Sequence, residues 1–250
     1  MTRRRFYAPP KAFAADQVAT LGMDESQHLR NVLRLKAGDE VYVFDGAGRE
    51  FRGEIDSLSR AETKIHVTEE VAPAAAESPL QLTMAIALLK GEKFDLVLQK
   101  LTELGVNCVA PIMTKRADVR LRNDDDAERK LIRWRRIVME ATKQCGRARL
   151  MTIESPITFD EFVTSSQARG ERIMFAERSG AQLQTLAANE VTSAPFTALV
   201  GSEGGWTDDE LNRARDAGWQ IITLGGRIMR AETAAITCAA LLQHRFGDLN

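Results

Sequence analysis

Apolar and polar positions along this chain change their period near residue 80. Before it, apolar residues come in short, mostly alternating runs: Glu40 to Phe44, Glu50 to Asp56 and Lys64 to Val67, separated by Asp45-Gly46-Ala47-Gly48 and by residues 57–62. Period-two runs bounded by turn residues predict strands, and strands so closely spaced predict a meander curling into a small β-barrel. One helix belongs to the same segment. Asp24-Glu25-Ser26-Gln27 reads as its start, His28, Leu29, Val32 and Leu33 lie along it, and Lys36-Ala37-Gly38-Asp39 is turn chemistry. Beyond residue 80, apolar runs alternate with helical stretches. Leu80 to Leu89 predicts a strand, Glu92 to Leu104 a helix stopped by Gly105, and Val106 to Met113 the next strand. Leu150 to Ile153, Arg172 to Phe175, Phe196 to Val200 and Gln220 to Leu224 continue the series, the signature of a mainly parallel α/β sheet. The expected organisation is a β-barrel domain over residues 1–72, a linker over 73–79 around Ala74-Ala75-Ala76, and an α/β domain over 80–250.

Two predicted helices carry more than packing information. In the helix from about Ala127 to Gln144, Arg129, Arg133, Arg136, Glu140 and Lys143 share a face, opposite an apolar stripe of Leu131, Trp134, Val138 and Ala141. The resulting basic ridge is either a solvated face or a nucleic-acid surface, and Glu140 either pairs with Arg136 or Lys143 or serves chemistry. The last helix, Ala231 to Phe246, is apolar almost all round, so it is covered from several sides, within one chain or by a second copy.

The candidate site lies where strands end in glycine. Phe196 to Val200 runs into Gly201-Ser202-Glu203-Gly204-Gly205, then into Thr207-Asp208-Asp209-Glu210, which reads as a helix capping box. Trp219 to Leu224 runs into Gly225-Gly226-Arg227-Ile228-Met229-Arg230-Ala231-Glu232-Thr233. Two successive strands ending this way are expected side by side at the carboxyl edge of the sheet, where open α/β sheets bind ligands. Neither loop has Gly-x-Gly-x-x-Gly, and no Gly-Lys-Ser or Gly-Lys-Thr closes a phosphate loop. Dinucleotide and triphosphate ligands thereby lose their main support, while a nucleoside without phosphates stays open.

Composition narrows the classes further. The 250 residues are 44% hydrophobic and 28% charged, enough for one or two ordinary cores. A net charge of −1 argues against wholesale polyanion binding, so any RNA surface must be local. Cys108, Cys145 and Cys238 have no Cys-x-x-Cys spacing, and His28, His66 and His244 no ligand spacing, so neither a disulfide framework nor a metal is expected. The basic start is followed by Pro9-Pro10 with no apolar signal region, and the apolar stretch Ala234 to Leu242 is too short to span a membrane, so a cytoplasmic protein is expected.

These motifs carry a family resemblance. Gly-x-Glu-Gly-Gly followed by Leu-Gly-x-Arg-Ile-Met-Arg-Ala-Glu-Thr resembles the bacterial 16S rRNA uridine-N3 methyltransferases of the SPOUT class. The similarity extends to Arg3-Arg4 with Phe6-Tyr7, to Lys90-Gly91, to Gln99-Lys100-x-Thr102-Glu103-Leu104-Gly105 and to Glu140-Ala141-x-x-Gln144-Cys145-Gly146-Arg147. One position departs, because the family usually has proline where this chain has Ser202. The resemblance implies a PUA-like barrel that binds RNA, a SPOUT domain with a C-terminal trefoil knot, S-adenosylmethionine as cofactor, a homodimer, and 16S rRNA of the small ribosomal subunit as substrate.

Residue roles follow from that resemblance. Val200, Gly201, Glu203 and Gly204 are expected to face Leu224, Gly225, Ile228, Met229 and Thr233 across the cofactor. Arg3, Arg4, Phe6, Tyr7, Lys90, Arg133, Arg136, Lys143, Arg147 and Arg227 are the candidate RNA contacts, a solvated arm or ridge being the alternative at Arg3 to Tyr7 and along the helix. Uridine N3 attacks only after losing its proton, so Arg230 is the candidate for stabilising the anion and Glu232 or Glu140 for accepting the proton. Glu232 has a competing role as a carboxylate satisfying amides at a helix start. The alternatives are another SPOUT RNA methyltransferase, acting on a ribose 2′-hydroxyl or a tRNA base, and a non-catalytic ribosome-assembly factor. An ATP-using enzyme is disfavoured by the missing phosphate loop.

Overall fold

The alternating runs before residue 80 build one sheet. In the computed structural model, which describes residues 3–165, 167–168, 170–186 and 195–249, its strands are β1 (Arg5–Tyr7), β2 (Val18–Leu21), β3 (Glu40–Phe44), β4 (Glu50–Leu58) and β5 (Thr63–Val71). The order is β1-β3-β4-β5-β2, with β1 parallel to β3 and the other neighbours antiparallel. Register shifts in the β4–β5 ladder at Arg52/Gly53 and Ile55/Ser57 bend the sheet. It curls over one apolar cluster of Phe6, Leu21, Leu29, Val41, Val43, Ile55 and Ile65. The expected barrel is thus a curled five-stranded sheet, with β1 and β2 as its edges among the described residues. Helix α1 (Met23–Gln27) runs on into a π-helical turn, His28–Val32, which buries Leu29.

The chain divides into two compact units: Met1–Glu77 with Met139–Leu150, and Ser78–Val138 with Met151–Asn250. A division at a 73–79 linker differs from this in one respect, because residues 139–150 return to the first unit. The reason is polar. Glu50 is fully buried and pairs with Arg5 at 3.0 Å and Arg3 at 3.2 Å. The Arg5 guanidinium also donates to the carbonyls of Thr142, Lys143 and Arg147 at 3.1, 2.9 and 2.7 Å. A cation there satisfies carbonyls at a helix C-terminus that have no partner within the helix.

The second unit holds β6 (Leu82–Ala87), α2 (Lys93–Glu103), β7 (Cys108–Met113), α3 (Asp124–Cys145) through Val138, β8 (Thr152–Ile153), β9 (Ile157–Thr158) and α4 (Phe159–Thr164). It continues with β10 (Glu171–Phe175), β11 (Ala181–Gln182), β12 (Phe196–Val200), α5 (Asp208–Asp216), β13 (Gln220–Thr223) and α6 (Ala231–Phe246). Every ladder is parallel, in the order β11-β13-β10-β12-β6-β7-β8, with β9 also on β7. Leu131, Trp134, Val138 and Ala141, the expected apolar stripe of α3, are all buried. Helix α6 buries Ala235, Cys238, Ala239 and Leu242 and leaves Ile236, Thr237, Ala240 and Leu241 half-buried.

One expectation about the sheet is corrected. β12 and β13 are not neighbours, because β10 lies between them and pairs with both. β12 pairs on one side of β10, and β13, reached through α5, pairs on the other. Such a reversal of strand order opens a crevice at the carboxyl edge, where ligands bind. Its floor is therefore the end of β10.

Candidate active site

Tertiary contacts hold the first glycine loop in place. Trp206, only 1% exposed, donates its indole N–H to the Phe175 carbonyl at 2.8 Å, tying the loop to the end of β10. The expected capping box starts α5: the Glu210 amide donates to Thr207 Oγ1 at 3.2 Å and the Thr207 amide to Glu210 Oε2 at 2.8 Å. Arg116, just past β7, donates to the carbonyls of Gly204 and Trp206 at 3.2 Å each. A Cβ on Gly204 would lie 2.7 Å from Arg116 Cβ, so only glycine allows this approach. In the second loop Gly225 has φ +61°, a left-handed conformation that suits glycine, and nothing crowds the space where a Cβ would stand.

The two loops and the end of β10 enclose a cavity of about 270 Å³. Residues 175–177, 200–206, 224–225, 227–229, 231, 234 and 238 line it. Of the expected cofactor contacts, Val200, Gly201, Glu203, Gly204, Leu224, Gly225, Ile228 and Met229 are in this wall, and Thr233 is not. Thr233 sits on the exposed side of the first turn of α6, two residues past lining residue Ala231. Arg227 and Ile228 line the cavity and both are exposed. Ser202 is buried in the wall, and its hydroxyl has no hydrogen-bond partner among the described residues.

Charged groups gather beside the cavity. Lys93, the first residue of α2, places Nζ 2.8 Å from Glu203 Oε1 and 3.7 Å from Glu232 Oε2. The Glu203 hydrogen bond, against some desolvation and with help from the charges of Glu203 and Glu232, holds the Lys93 ammonium above the usual lysine range. Burial alone would raise Glu203, yet its bonds to Lys93 and to its own amide keep its carboxyl below the usual range. Arg230 precedes α6, is exposed, and bears electrostatically on Lys93. Glu140 is absent from the cavity wall; it groups with the first unit, is exposed, and lies 3.5 Å from Lys143 on its own helix.

Sequence reasoning missed three parts of this site. Phe175, Ala176 and Glu177 were invisible because strand order is not written in local pattern. Lys93 had one usable signal, since it opens a helix directly after a strand of the parallel sheet and so stands at the same carboxyl edge. Arg116 gave none.

The expected RNA contacts separate into exposed and internal groups. Arg4 and Arg136 are exposed; Lys90 pairs with Asp118 at 2.9 Å, and Arg133 pairs with Asp95. Arg3 and Tyr7 are partly exposed, with Arg3 4.8 Å over the Tyr42 ring and Tyr7 against Phe44. Burial, with the nearby Asp45 charge, raises the Tyr7 phenol above its ordinary range. Phe6, Lys143 and Arg147 need correction. Phe6 is fully buried in the sheet core, edge-on to His28, because β1 alternates and turns it inward. Lys143 pairs with Glu25 at 2.8 Å with little side-chain exposure, and Arg147, 3% exposed, pairs with Glu77 at 2.7 Å. A ring or cation so enclosed is not presented to RNA.

Comparison with known proteins adds independent findings. An RNA methyltransferase domain model matches residues 76–243, and an RNA methyltransferase PUA domain model matches residues 21–65. The chain is 32% identical over 242 residues to the ribosomal RNA small subunit methyltransferase E of Synechocystis sp., covering 96% of this chain and 77% of that protein. A Legionella pneumophila protein solved in complex with the bound cofactor SAM superimposes with TM-score 0.90 at 28% identity over the whole of both chains. The ribosomal RNA small subunit methyltransferase E of Neisseria gonorrhoeae, solved bound to S-adenosyl methionine, does so with TM-score 0.88 at 30% identity, again over both whole chains. No helix among the described residues is long and apolar enough to cross a membrane. With a methyltransferase domain matched over most of its length, a PUA domain matched before it, and a cavity built at the switch point of its parallel sheet, this chain belongs to the RNA methyltransferase family.

Proposed function

We propose that this chain methylates N3 of a uridine in the 16S rRNA of the small ribosomal subunit, with S-adenosylmethionine as methyl donor. The observation that carries the reading is the cavity between the two glycine loops. Gly201, Leu224, Gly225 and Met229 are in its wall and there is no phosphate loop, which suits a nucleoside without phosphates. The unpartnered Ser202 hydroxyl fits the same ligand class, since a buried polar atom calls for a partner. Relatives named small subunit methyltransferase E, two solved neighbours with the cofactor bound, and the motif around Arg230 support the target.

Bound in that cavity, the cofactor supplies an electrophilic methyl group and a neutral thioether leaving group. The chain must hold the base and remove the N3 proton. Arg230, a guanidinium that stays charged at neutral pH, stabilises the anion spread over N3, O2 and O4. Glu232, beside the second loop with one carboxylate oxygen that lacks a hydrogen bond, accepts the proton, and Glu140, which is not among the residues lining the cavity, is the alternative. Arg3, Arg4, Lys90, Arg133, Arg136 and Arg227 remain the candidate RNA contacts. The trefoil threading, a homodimer covering the half-buried face of α6, and action in the cytoplasm belong to the same reading.

Nucleoside analysis of unmodified small subunits incubated with the protein and S-adenosylmethionine tests it. The expected product is 3-methyluridine, and Arg230→Ala is expected to cut its rate about 100-fold with cofactor affinity nearly unchanged. A 2′-O-methylated nucleoside, or methylation of tRNA alone, would replace this reading with another SPOUT activity. Cofactor binding without any product would favour an assembly factor.

A further inference from the structure

A four-charge cluster beside the cavity contains one residue to which the reading above gives no task. Lys93 comes from α2, Glu203 from the first glycine loop, Glu232 from the first turn of α6, and Arg230 from the residue before it. Lys93 Nζ is hydrogen-bonded to Glu203 at 2.8 Å, so its position is fixed by the loop that walls the cavity. It stands 3.7 Å from Glu232 Oε2, close enough for strong attraction and too far for a hydrogen bond. That oxygen is buried and has no hydrogen-bond partner among the described residues. A buried carboxylate oxygen in this setting calls for a cation as its partner. Among the described residues, Lys93 is the one paired with it.

The other charges around Glu232 do not replace it. Arg230 precedes Glu232 on the same element and is exposed. Glu203 faces the cluster from the first loop as a like charge and shares the same ammonium, to which it is hydrogen-bonded. Asp118, in the segment after β7, acts on Glu203 but is paired with Lys90 from the turn before α2. The Lys93 ammonium is held above its usual range, chiefly by the Glu203 bond, so it is charged throughout the neutral range.

We propose that Lys93 is a positioning residue for methyl transfer: anchored by Glu203, it holds the Glu232 carboxylate in place and aimed as the proton acceptor. The proposal rests on Glu232 being the base. It also explains why one ammonium bridges both glycine loops. A lysine merely tying loops together would stabilise the cavity and leave kcat unchanged.

The test is kcat and KM for methylation of unmodified small subunits by the full-length protein, determined separately, with S-adenosylmethionine affinity measured by calorimetry. Lys93→Met is expected to lower kcat about 10- to 100-fold while KM for the small subunit stays near wild type. Cofactor affinity should change less than about threefold, on the order of 0.6 kcal/mol. Lys93→Arg should restore kcat, and it keeps the test decisive if the methionine variant melts early. An active wild type whose kcat is unchanged in Lys93→Met, or a loss confined to cofactor affinity or melting temperature, overturns this inference and leaves the functional reading standing. An inactive wild type overturns both.

Discussion

Ser202 presents a hydroxyl to the wall of a mostly apolar cavity, buried and with no partner among the described residues. Such a group costs stability in the free protein and repays it only when a ligand donates or accepts. Ser202→Ala is therefore expected to act in opposite directions. S-adenosylmethionine affinity should fall roughly three- to tenfold, since one hydrogen bond contributes about 0.5–1.5 kcal/mol. The melting temperature of the ligand-free protein should hold or rise. Calorimetric titration and a thermal melt read the two effects, and a drop in stability with unchanged affinity would remove Ser202 from the binding surface. At this scale the sequence was informative about what residues are and silent about where they point. The glycines of both loops were legible because turns at strand ends demand them. Phe6 was not: the run Arg3-Arg4-Arg5-Phe6-Tyr7 has the composition of an RNA-binding arm, and only the ladder to β3 shows that alternate residues face a core. Lys143 and Arg147 were misread for the same reason, because an ion pair across 118 or 70 residues has no local trace.

Three elements were legible to the residue. The sheet strands Glu40–Phe44 and Phe196–Val200 and the helix Ala231–Phe246 match what pattern alone predicts. Short elements were not. β1, β2 and β11 have two to four residues, too few for a period to register. Helix α4, six residues after Thr158, starts on a cap and buries Phe159, Phe162 and Val163. Thr158 and Glu161 form a reciprocal capping box, and hydrogen bonds from the Thr158 amide and then its hydroxyl hold the Glu161 carboxyl below its ordinary range. A depressed folded pKa contributes stability that is present above the unfolded value and is lost as pH falls through the folded one. The melting temperature of the protein should accordingly decline from about pH 4.5 downward, with Asp118 and Asp208 adding to the slope in the same direction because Lys90 and Arg178 lower their carboxyls. Glu161→Gln should flatten part of that decline, and 1 M salt should remove most of what the exposed Asp118 and Asp208 pairs add while leaving the cap. Melts across pH 3 to 6 at two salt concentrations check this, and a Glu161→Gln curve parallel to wild type would mean the cap does not carry the dependence.

At the scale of the whole molecule, the two-unit organisation was legible and the path of the chain between the units was not. Composition and period place a boundary in the 70s, where the sheet pattern ends and the α/β pattern begins. The return of residues 139–150 is invisible because it is made by backbone groups, which carry no sequence signature, and by ion pairs between residues far apart in the chain. Those groups are the ones the first unit depends on. Arg5 spends three donors on the carbonyls of Thr142, Lys143 and Arg147; the Ala75 amide donates to Gly146 at 2.9 Å, the Gly48 amide to Ala148 at 3.1 Å, and the Leu150 amide to Gly46 at 3.0 Å. Glu77 takes Arg147, and Glu25 takes Lys143. A fragment of residues 1–77 would keep the Glu50 pair but leave the Arg5 guanidinium, nearly buried, with three unanswered donors, and breaking one side of a buried charged network costs about 3–5 kcal/mol. A small domain has about 5–15 kcal/mol in total, so most of its margin would go. Residues 1–77 alone are therefore expected to melt without a cooperative transition, and the same residues joined through a flexible linker to 139–150 to melt cooperatively. Circular dichroism with temperature, on both fragments, decides it. A sharp transition for 1–77 alone would show that its curled sheet closes its own core and that the returning segment is an addition to the unit, not part of what folds it.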